Sequence, residues 1–376
     1  MRLAFTEEQD SLRSVVRDFL ADTCPEAEVR RLMETEAGFD AGVWTQLSRQ
    51  LGLCGLAVPE EFGGAGCSFV EVGVVLEELG ASLAGLPFLS SVVLAQSLVL
   101  GVDDPEARAR WLPGLASGSI RGAVAFAEEA GGWDGRGLRT KAVRDGAGWR
   151  LDGQKTFVID GHTADLVLVL ADTGGGLSVF AVQPESPGLA RAPLATVDQT
   201  RKQAAVELTG TPATLVGGEG AGRRALSRMS ELAAVALATE AVGGARAVLD
   251  ASVGYAKVRV QFGRPIGSFQ AIKHRCADML LRVENAKSAA YHALWSVAED
   301  STDDAIEERS IAASMAKAYC TEAFVWAAAE NIQIHGGIGF TWEHSAHLYY
   351  KRALSNQLLF GDPAQHRAFL ADRIGI

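Results

Sequence analysis

Apolar positions recur at helical period over residues 6–118, give way to short β-rich runs over 123–208, and return to helical period from 223 to the end. Thr6 followed by Gln9 reads as a capping box. Leu12, Val15, Val16, Phe19 and Leu20 then share one face. Trp44, Leu47 and Leu51 predict a further helix stopped by Gly52, and 69–79 and 87–100 predict buried helices. Strands are expected at 123–126, 141–143, 149–151, 156–159, 166–170, 177–182 and 204–208. Asp145-Gly146, Asp152-Gly153 and the Gly174 to Gly176 tract read as turns between them. Short strands at regular spacing predict an antiparallel β-barrel or sandwich. The run 225–258 is small and apolar nearly all round, interrupted by Glu231, Glu240 and Arg246, so it predicts a helix buried on several sides. Helical runs at 303–330, 345–357 and 366–374 complete a bundle. The pattern therefore predicts an α+β multidomain chain: an N-terminal α-helical domain over 1–119, a middle β domain over 120–222 and a C-terminal four-helix bundle over 223–376.

Between two helical runs the pattern breaks at Phe262-Gly263-Arg264-Pro265-Ile266-Gly267. Two glycines and a proline force a tight reversal there. Arg259, Gln261, Arg264 and Gln270 sit at that corner. Two guanidinium groups and two amides can hold a phosphate, although a solvated bend explains the same residues. A net charge of -11 argues against a nucleic-acid binder or an anionic-membrane binder but not against a local basic pocket. No apolar run reaches the roughly 18 residues of a membrane span, and the start MRLAFTEEQD is unlike a signal peptide, so a cytoplasmic protein is expected. Cys24, Cys54, Cys67, Cys276 and Cys320 show no Cys-x-x-Cys pair, which favours reduced thiols over disulfides or a zinc site. His344 and His347 lack the companions of a metal site, so no metal is expected. Neither a Gly-x-Ser-x-Gly elbow nor a phosphate-binding Gly-x-x-x-x-Gly-Lys loop is present.

The run Arg259-Val-Gln-Phe-Gly-Arg-Pro-Ile-Gly-Ser-Phe-Gln270 resembles the signature of the acyl-CoA dehydrogenase family. Gln333-Ile334-His335-Gly336-Gly337-Ile338-Gly339 is similar to that family's Gln-x-x-Gly-Gly-x-Gly loop. The resemblance implies FAD as cofactor, an acyl-CoA thioester as substrate, tetrameric assembly and an electron-transfer flavoprotein as acceptor, in fatty acid or steroid side-chain β-oxidation. It implies that Arg259, Gln261, Phe262, Gln270, Gln333, Gly336 and Gly337 bind the adenosine diphosphate end of FAD. The reaction it implies removes a proton α to the carbonyl and passes a β-hydride to the flavin, which requires a carboxylate in a water-poor pocket. Glu240 is the first candidate, since some family members carry the base on this helix, with a structural ion pair as the other reading. Ala233, at the other helix position for the base, cannot serve. Asp362 lies one place after Gly361, which stands where many members have a catalytic Glu; it also reads as the opener of the last helix. Glu343 reads as a surface residue.

Two departures bear on the flavin. Phe126-Ala127-Glu128-Glu129-Ala130-Gly131-Gly132-Trp133 stands where the family has Thr-Glu-Pro-x-Ala-Gly-Ser, and Phe157-Val158-Ile159-Asp160-Gly161 where it has Trp-Ile-Thr-Asn-Gly. Ile159 has no side-chain donor for the flavin ring, while Phe157 can stack on it. The resemblance thus leaves two assemblies open. One is a homotetramer. The other is an α2β2 heterotetramer in which this chain is a non-catalytic partner subunit that completes the FAD site of a second chain.

Overall fold

A computed structural model describes residues 5–129, 132–298 and 303–376; Ala130 and Gly131 of the first departing motif lie outside the described residues. The N-terminal helices are α1 (Glu7–Thr23), α2 (Glu26–Met33), α3 (Ala41–Thr45), α4 (Phe69–Ser82), α5 (Gln96–Gly101) and α6 (Pro105–Ala116). The expected capping box opens α1: Gln9 N donates to Thr6 Oγ1 at 3.3 Å, and Thr6 N donates to Gln9 Oε1 at 3.0 Å. The helix predicted around Trp44 continues as a wider π turn over Gln46–Gln50 and stops at Gly52, whose φ is 69°. A second π stretch, Leu89–Ala95, leads into α5 and is buried throughout.

The β region contains β1 (Gly122–Ala125), β2 (Lys141–Asp145), β3 (Gly148–Ile159), β4 (Leu166–Asp172), β5 (Leu177–Val182), β6 (Leu189–Pro193) and β7 (Gln203–Val216). Strands β4, β2, β3, β7 and β5 follow one another, and β4–β5 pairing closes the ring into a barrel. Its core holds Leu151, Val167, Phe180 and Val206, with the Trp149 and Phe180 rings edge-on at 5.4 Å. The expectation of a purely antiparallel sheet needs correction: β1–β4 and β2–β4 are parallel, because the chain crosses over before it reaches β4. The expected strands at 149–151 and 156–159 are one strand. Asp152-Gly153 is a register shift within it, not a turn. A Cβ on Gly153 would lie 2.5 Å from Thr140 Oγ1, so glycine serves close packing here. Strand β6 escaped the pattern because it is mostly exposed and has no apolar alternation.

The C-terminal helices are α7 (Gly222–Val258), α8 (Gln270–Ala298), α9 (Asp303–His335), α10 (Ala346–Leu358) and α11 (Pro363–Ile374). A hairpin of β8 (Val260–Gln261) and β9 (Arg264–Pro265) separates α7 from α8. Contrary to the sequence expectation, α7 is long and apolar enough to cross a membrane, yet its apolar window is 89% buried within the protein. It is a core helix, as its all-round apolar pattern predicts.

The chain divides into two compact units, one of residues 1–30, 69–84 and 234–376, the other of 31–68 and 85–233. In the first, the backbones of α4 and α7 touch. A Cβ on Gly80 would lie 2.1 Å from Glu240 O, and one on Gly243 would lie 1.8 Å from Glu77 O. The buried Glu77 and Glu78 accept from Arg13 and Arg17 of α1 and from Arg246 of α7, which fastens three helices around two carboxylates. In the second unit, Trp44 Nε1 donates to Gly118 O at 2.9 Å and Gln96 Nε2 to Cys54 O at 2.8 Å, so helices of this unit hold one another through main-chain carbonyls.

Candidate functional site

In the first unit the expected reversal is a two-residue β-hairpin. Phe262 (φ 52°) and Gly263 (φ 77°) occupy its turn, with Gln261 opposite Arg264. Two successive left-handed residues match the twist of a tight hairpin, and glycine supplies one of them without strain. Phe262 is 90% exposed, and the Arg264 guanidinium covers the Phe269 ring at 4.1 Å. Arg259, Gln261 and Gln270 are exposed around the hairpin.

The second glycine-containing motif lies at the same end of the bundle. The Tyr255 ring of α7 stacks on His335 of α9 at 4.3 Å, and Ser252 Oγ donates to Asn331 Oδ1 at 2.8 Å. Arg275 of α8 pairs with Glu330 of α9 at 2.6 Å. Gln333, Gly336 and Gly337 follow, all exposed. Gly336 has φ 65°, and a Cβ on Gly336 or Gly337 would meet nothing within 4 Å, so this backbone faces open space. Burial holds His335 below the usual histidine range, so it stays neutral beside the motif. Next to the hairpin is a cavity of about 450 Å³ lined by Val253, Ala256, Lys257, Ile272, Lys273 and Cys276. Its lining sets the ammonium groups of Lys257 and Lys273 beside an apolar floor.

Glu240 lies in the same unit. It is 2% exposed on α7, and Arg352 Nη1 of α10 donates to its Oε1 at 2.7 Å. The carboxylate therefore has the counter-charge that burial demands. Ala233 is buried and apolar. Asp362 caps α11: its Oδ1 accepts from Gln365 N at 2.8 Å, and Gln365 Oε1 accepts from Asp362 N at 3.0 Å. Its carboxylate is thus engaged in opening the last helix. Glu343 is exposed in a turn.

In the second unit Phe157 is 46% exposed at φ 55°, and Asp160 also has a left-handed φ of 54°. Non-glycine residues hold such angles only where their surroundings over-determine them. Here Ser90 Oγ donates to Asp160 Oδ2 at 2.6 Å, and Asp160 N donates to Lys202 O at 3.0 Å. Trp133 packs against Phe157 at 6.3 Å and Phe126 at 5.9 Å, while Ile159 between the strained residues is buried. Beneath this face the fully buried Lys155 donates to Glu128 Oε1 at 2.8 Å. Burial opposes the charge on Glu128, but bonds from Lys155, Thr140 and Arg139 N outweigh it and bring its carboxyl down to about 2. Burial lowers Lys155 to about 8, with Glu128 pulling the other way.

Arg352, Lys155 and Trp133 carried no signal of their own in the pattern, since each becomes notable only through its neighbour in space. Among the described residues no group of three or more His, Cys, Asp or Glu is disposed to hold a metal ion.

Comparisons with known proteins bear on the family and the fold. Residues 6–119 match the family model for the acyl-CoA dehydrogenase N-terminal domain, 123–210 that for the middle domain and 204–375 that for the C-terminal domain. The acyl-CoA dehydrogenase IpdE2 of Mycolicibacterium smegmatis is 35% identical over 361 residues, covering 96% of each chain. A chain of the ChsE4-ChsE5 complex from Mycobacterium tuberculosis superposes with a TM-score of 0.89 at 30% identity, covering 100% of this chain and 99% of that one. A chain of the Tcur3481-Tcur3483 steroid ACAD superposes with a TM-score of 0.87 at 31% identity, covering 98% of each.

Proposed function

The chain belongs to the acyl-CoA dehydrogenase family, whose members are FAD-dependent flavoproteins, and on that premise we propose that it α,β-desaturates an acyl-CoA thioester with Glu240 as the base. The observation that carries this reading is the buried carboxylate of Glu240, held by Arg352 within the mostly apolar, buried middle of α7. A carboxylate buried in such a stretch needs a partner or a job. In this reading Glu240 accepts the α-proton of the thioester and Arg352 orients it.

The residues present fit FAD unevenly. At the bundle end, Arg259, Gln261, Gln270 and Gln333 supply donors, and the open backbone of Gly336 and Gly337 admits a phosphate close to the main chain. These residues, with Phe262, would hold the adenosine diphosphate end, lent to a flavin ring on a neighbouring protomer. Phe157 would stack on the ring. When bound, FAD supplies the two-electron acceptor for the β-hydride. An electron-transfer flavoprotein is the proposed reoxidant, and a homotetramer in the cytoplasm is the proposed setting.

One observation favours a second reading. Trp133 packs on Phe157, and the buried, apolar Ile159 stands where the resembling motif has the threonine that bonds the flavin ring, so that donor is missing from the β domain. The chain would then be the non-catalytic half of an α2β2 heterotetramer and complete the FAD site of a partner. The two readings separate on purification. A catalytic homotetramer is yellow when expressed alone; a partner subunit is colourless until co-expressed with its mate. Glu240→Gln, tested with acyl-CoA thioesters from butyryl-CoA to a steroid side-chain thioester, should lower turnover at least about 100-fold with flavin retained. Turnover within a few-fold of the unaltered enzyme would remove Glu240 from the base role.

A further inference from the structure

The connection between α10 and α11 is fastened by a buried amine. Lys317 of α9 has 0% exposure, and its Nζ donates to Gln357 O at 3.1 Å and to Gly361 O at 2.9 Å. Those carbonyls bracket a strained turn in which Phe360 has φ 58° and Gly361 φ 100°. His366 of α11 adds a third tie, its Nε2 donating to Phe360 O at 3.0 Å. At the other end of α10, Tyr349 donates its hydroxyl to Ala81 O at 2.6 Å. Arg352, the partner of Glu240, lies between these fastenings.

Among the described residues no carboxylate bonds to Lys317. Asp362 faces it, but that carboxylate is committed to the α11 cap. The other titratable groups facing it are His366 from α11 and Cys320 from its own helix, while α10 presents a main-chain carbonyl. Two carbonyls match the two hydrogens of a neutral amine. An ammonium brings a third hydrogen and a buried charge without an opposite charge bonded to it.

We propose that Lys317 is a proton-operated latch on the α10–α11 turn: neutral, it closes the turn and seats Arg352 against Glu240; protonated, it favours opening of the turn to water. The consequence for catalysis rests on Glu240 being the base; the latch does not. Burial lowers Lys317 from 10.5 to about 7 in the closed turn, against weaker opposite pulls from Asp362 and Cys320. Opening returns it to its ordinary value. Between those values the open form binds a proton that the closed form does not, so opening grows as pH falls and levels off below about 7. Burial likewise holds His366 at about 4, so its own contribution is confined to the range below 6.5. Measurements above neutrality therefore isolate Lys317.

The test is hydrogen–deuterium exchange of the whole protein at about pH 7.5, 8.5 and 9.5, read on peptides covering 346–366 and corrected for intrinsic exchange rates. In the unaltered protein the opening equilibrium should fall by up to about tenfold per pH unit. In Lys317→Met it should be pH-independent, with peptides of β7 exchanging as before. Opening in the unaltered protein that does not change with pH, or an identical pH dependence in Lys317→Met, overturns the latch. If Lys317→Met does not fold, Lys317→Gln takes its place, and the profile of the unaltered protein still decides. Glu240→Gln should keep the pH dependence whatever it does to turnover, so failure of the base assignment and failure of the latch are distinguishable.

Discussion

Replacing Arg352 by methionine leaves the Glu240 carboxylate inside the protein with its counter-charge gone. The two side chains are 2% and 3% exposed and meet at 2.7 Å. At that depth solvent screens neither the attraction nor the penalty of an unpaired charge. Breaking such a pair from one side costs about 3–5 kcal/mol, against about 0–1 kcal/mol for a pair in water. Removing both partners behaves differently: Arg352→Met with Glu240→Leu should lie within about 1–2 kcal/mol of the unaltered protein, because an apolar pair needs no compensation. The assay is a double-mutant cycle by urea unfolding, with midpoints compared at constant denaturant slope. The expected coupling energy exceeds about 2 kcal/mol. A coupling below about 0.5 kcal/mol would refute the reasoning, since it would equal that of an exposed pair. The double variant is also informative for function: folded but inert if Glu240 is the base.

Three further outcomes follow from the geometry. Gly80→Ala should destabilise by about 1–3 kcal/mol or more because the new methyl meets the Glu240 carbonyl, whereas Gly254→Ala, with nothing within 4 Å, should be neutral or stabilising by up to about 1 kcal/mol; melting temperatures of the two variants compare them directly. Glu128 has a folded-state value of about 2 against an ordinary 4.5, so it contributes stability that is complete above about 4.5 and lost as pH falls toward 2; Glu128→Gln should flatten that limb of the pH–stability curve, measured by denaturant unfolding across acid pH. Phe262→Ala should leave the melting temperature within about 1 °C, since the ring is 90% exposed, yet lower flavin retained per protomer after gel filtration; unchanged retention would detach the hairpin from cofactor binding.

Much was legible because it is local. Helical period marked α1, α4 and α7, two glycines and a proline marked the hairpin, and Thr6 with Gln9 marked the first cap, since each depends only on residues within a few positions. Glu240 stood out as a carboxylate in an apolar run. What covered it did not, because Arg352 lies 112 positions away and sequence spacing says nothing about such a meeting. The same holds for Lys317, whose amine is noteworthy only because α9 sets it beneath the carbonyls of Gln357 and Gly361. Among the middle strands β6 was missed and β3 was split in two, since Asp152-Gly153 has the composition of a turn and only packing against Thr140 makes it a bulge. Linear order thus determined which segments become helix or strand and which motifs they carry. Tertiary packing decided which charges are buried together and which strands run parallel, because those choices depend on desolvation and contact between residues far apart in the chain.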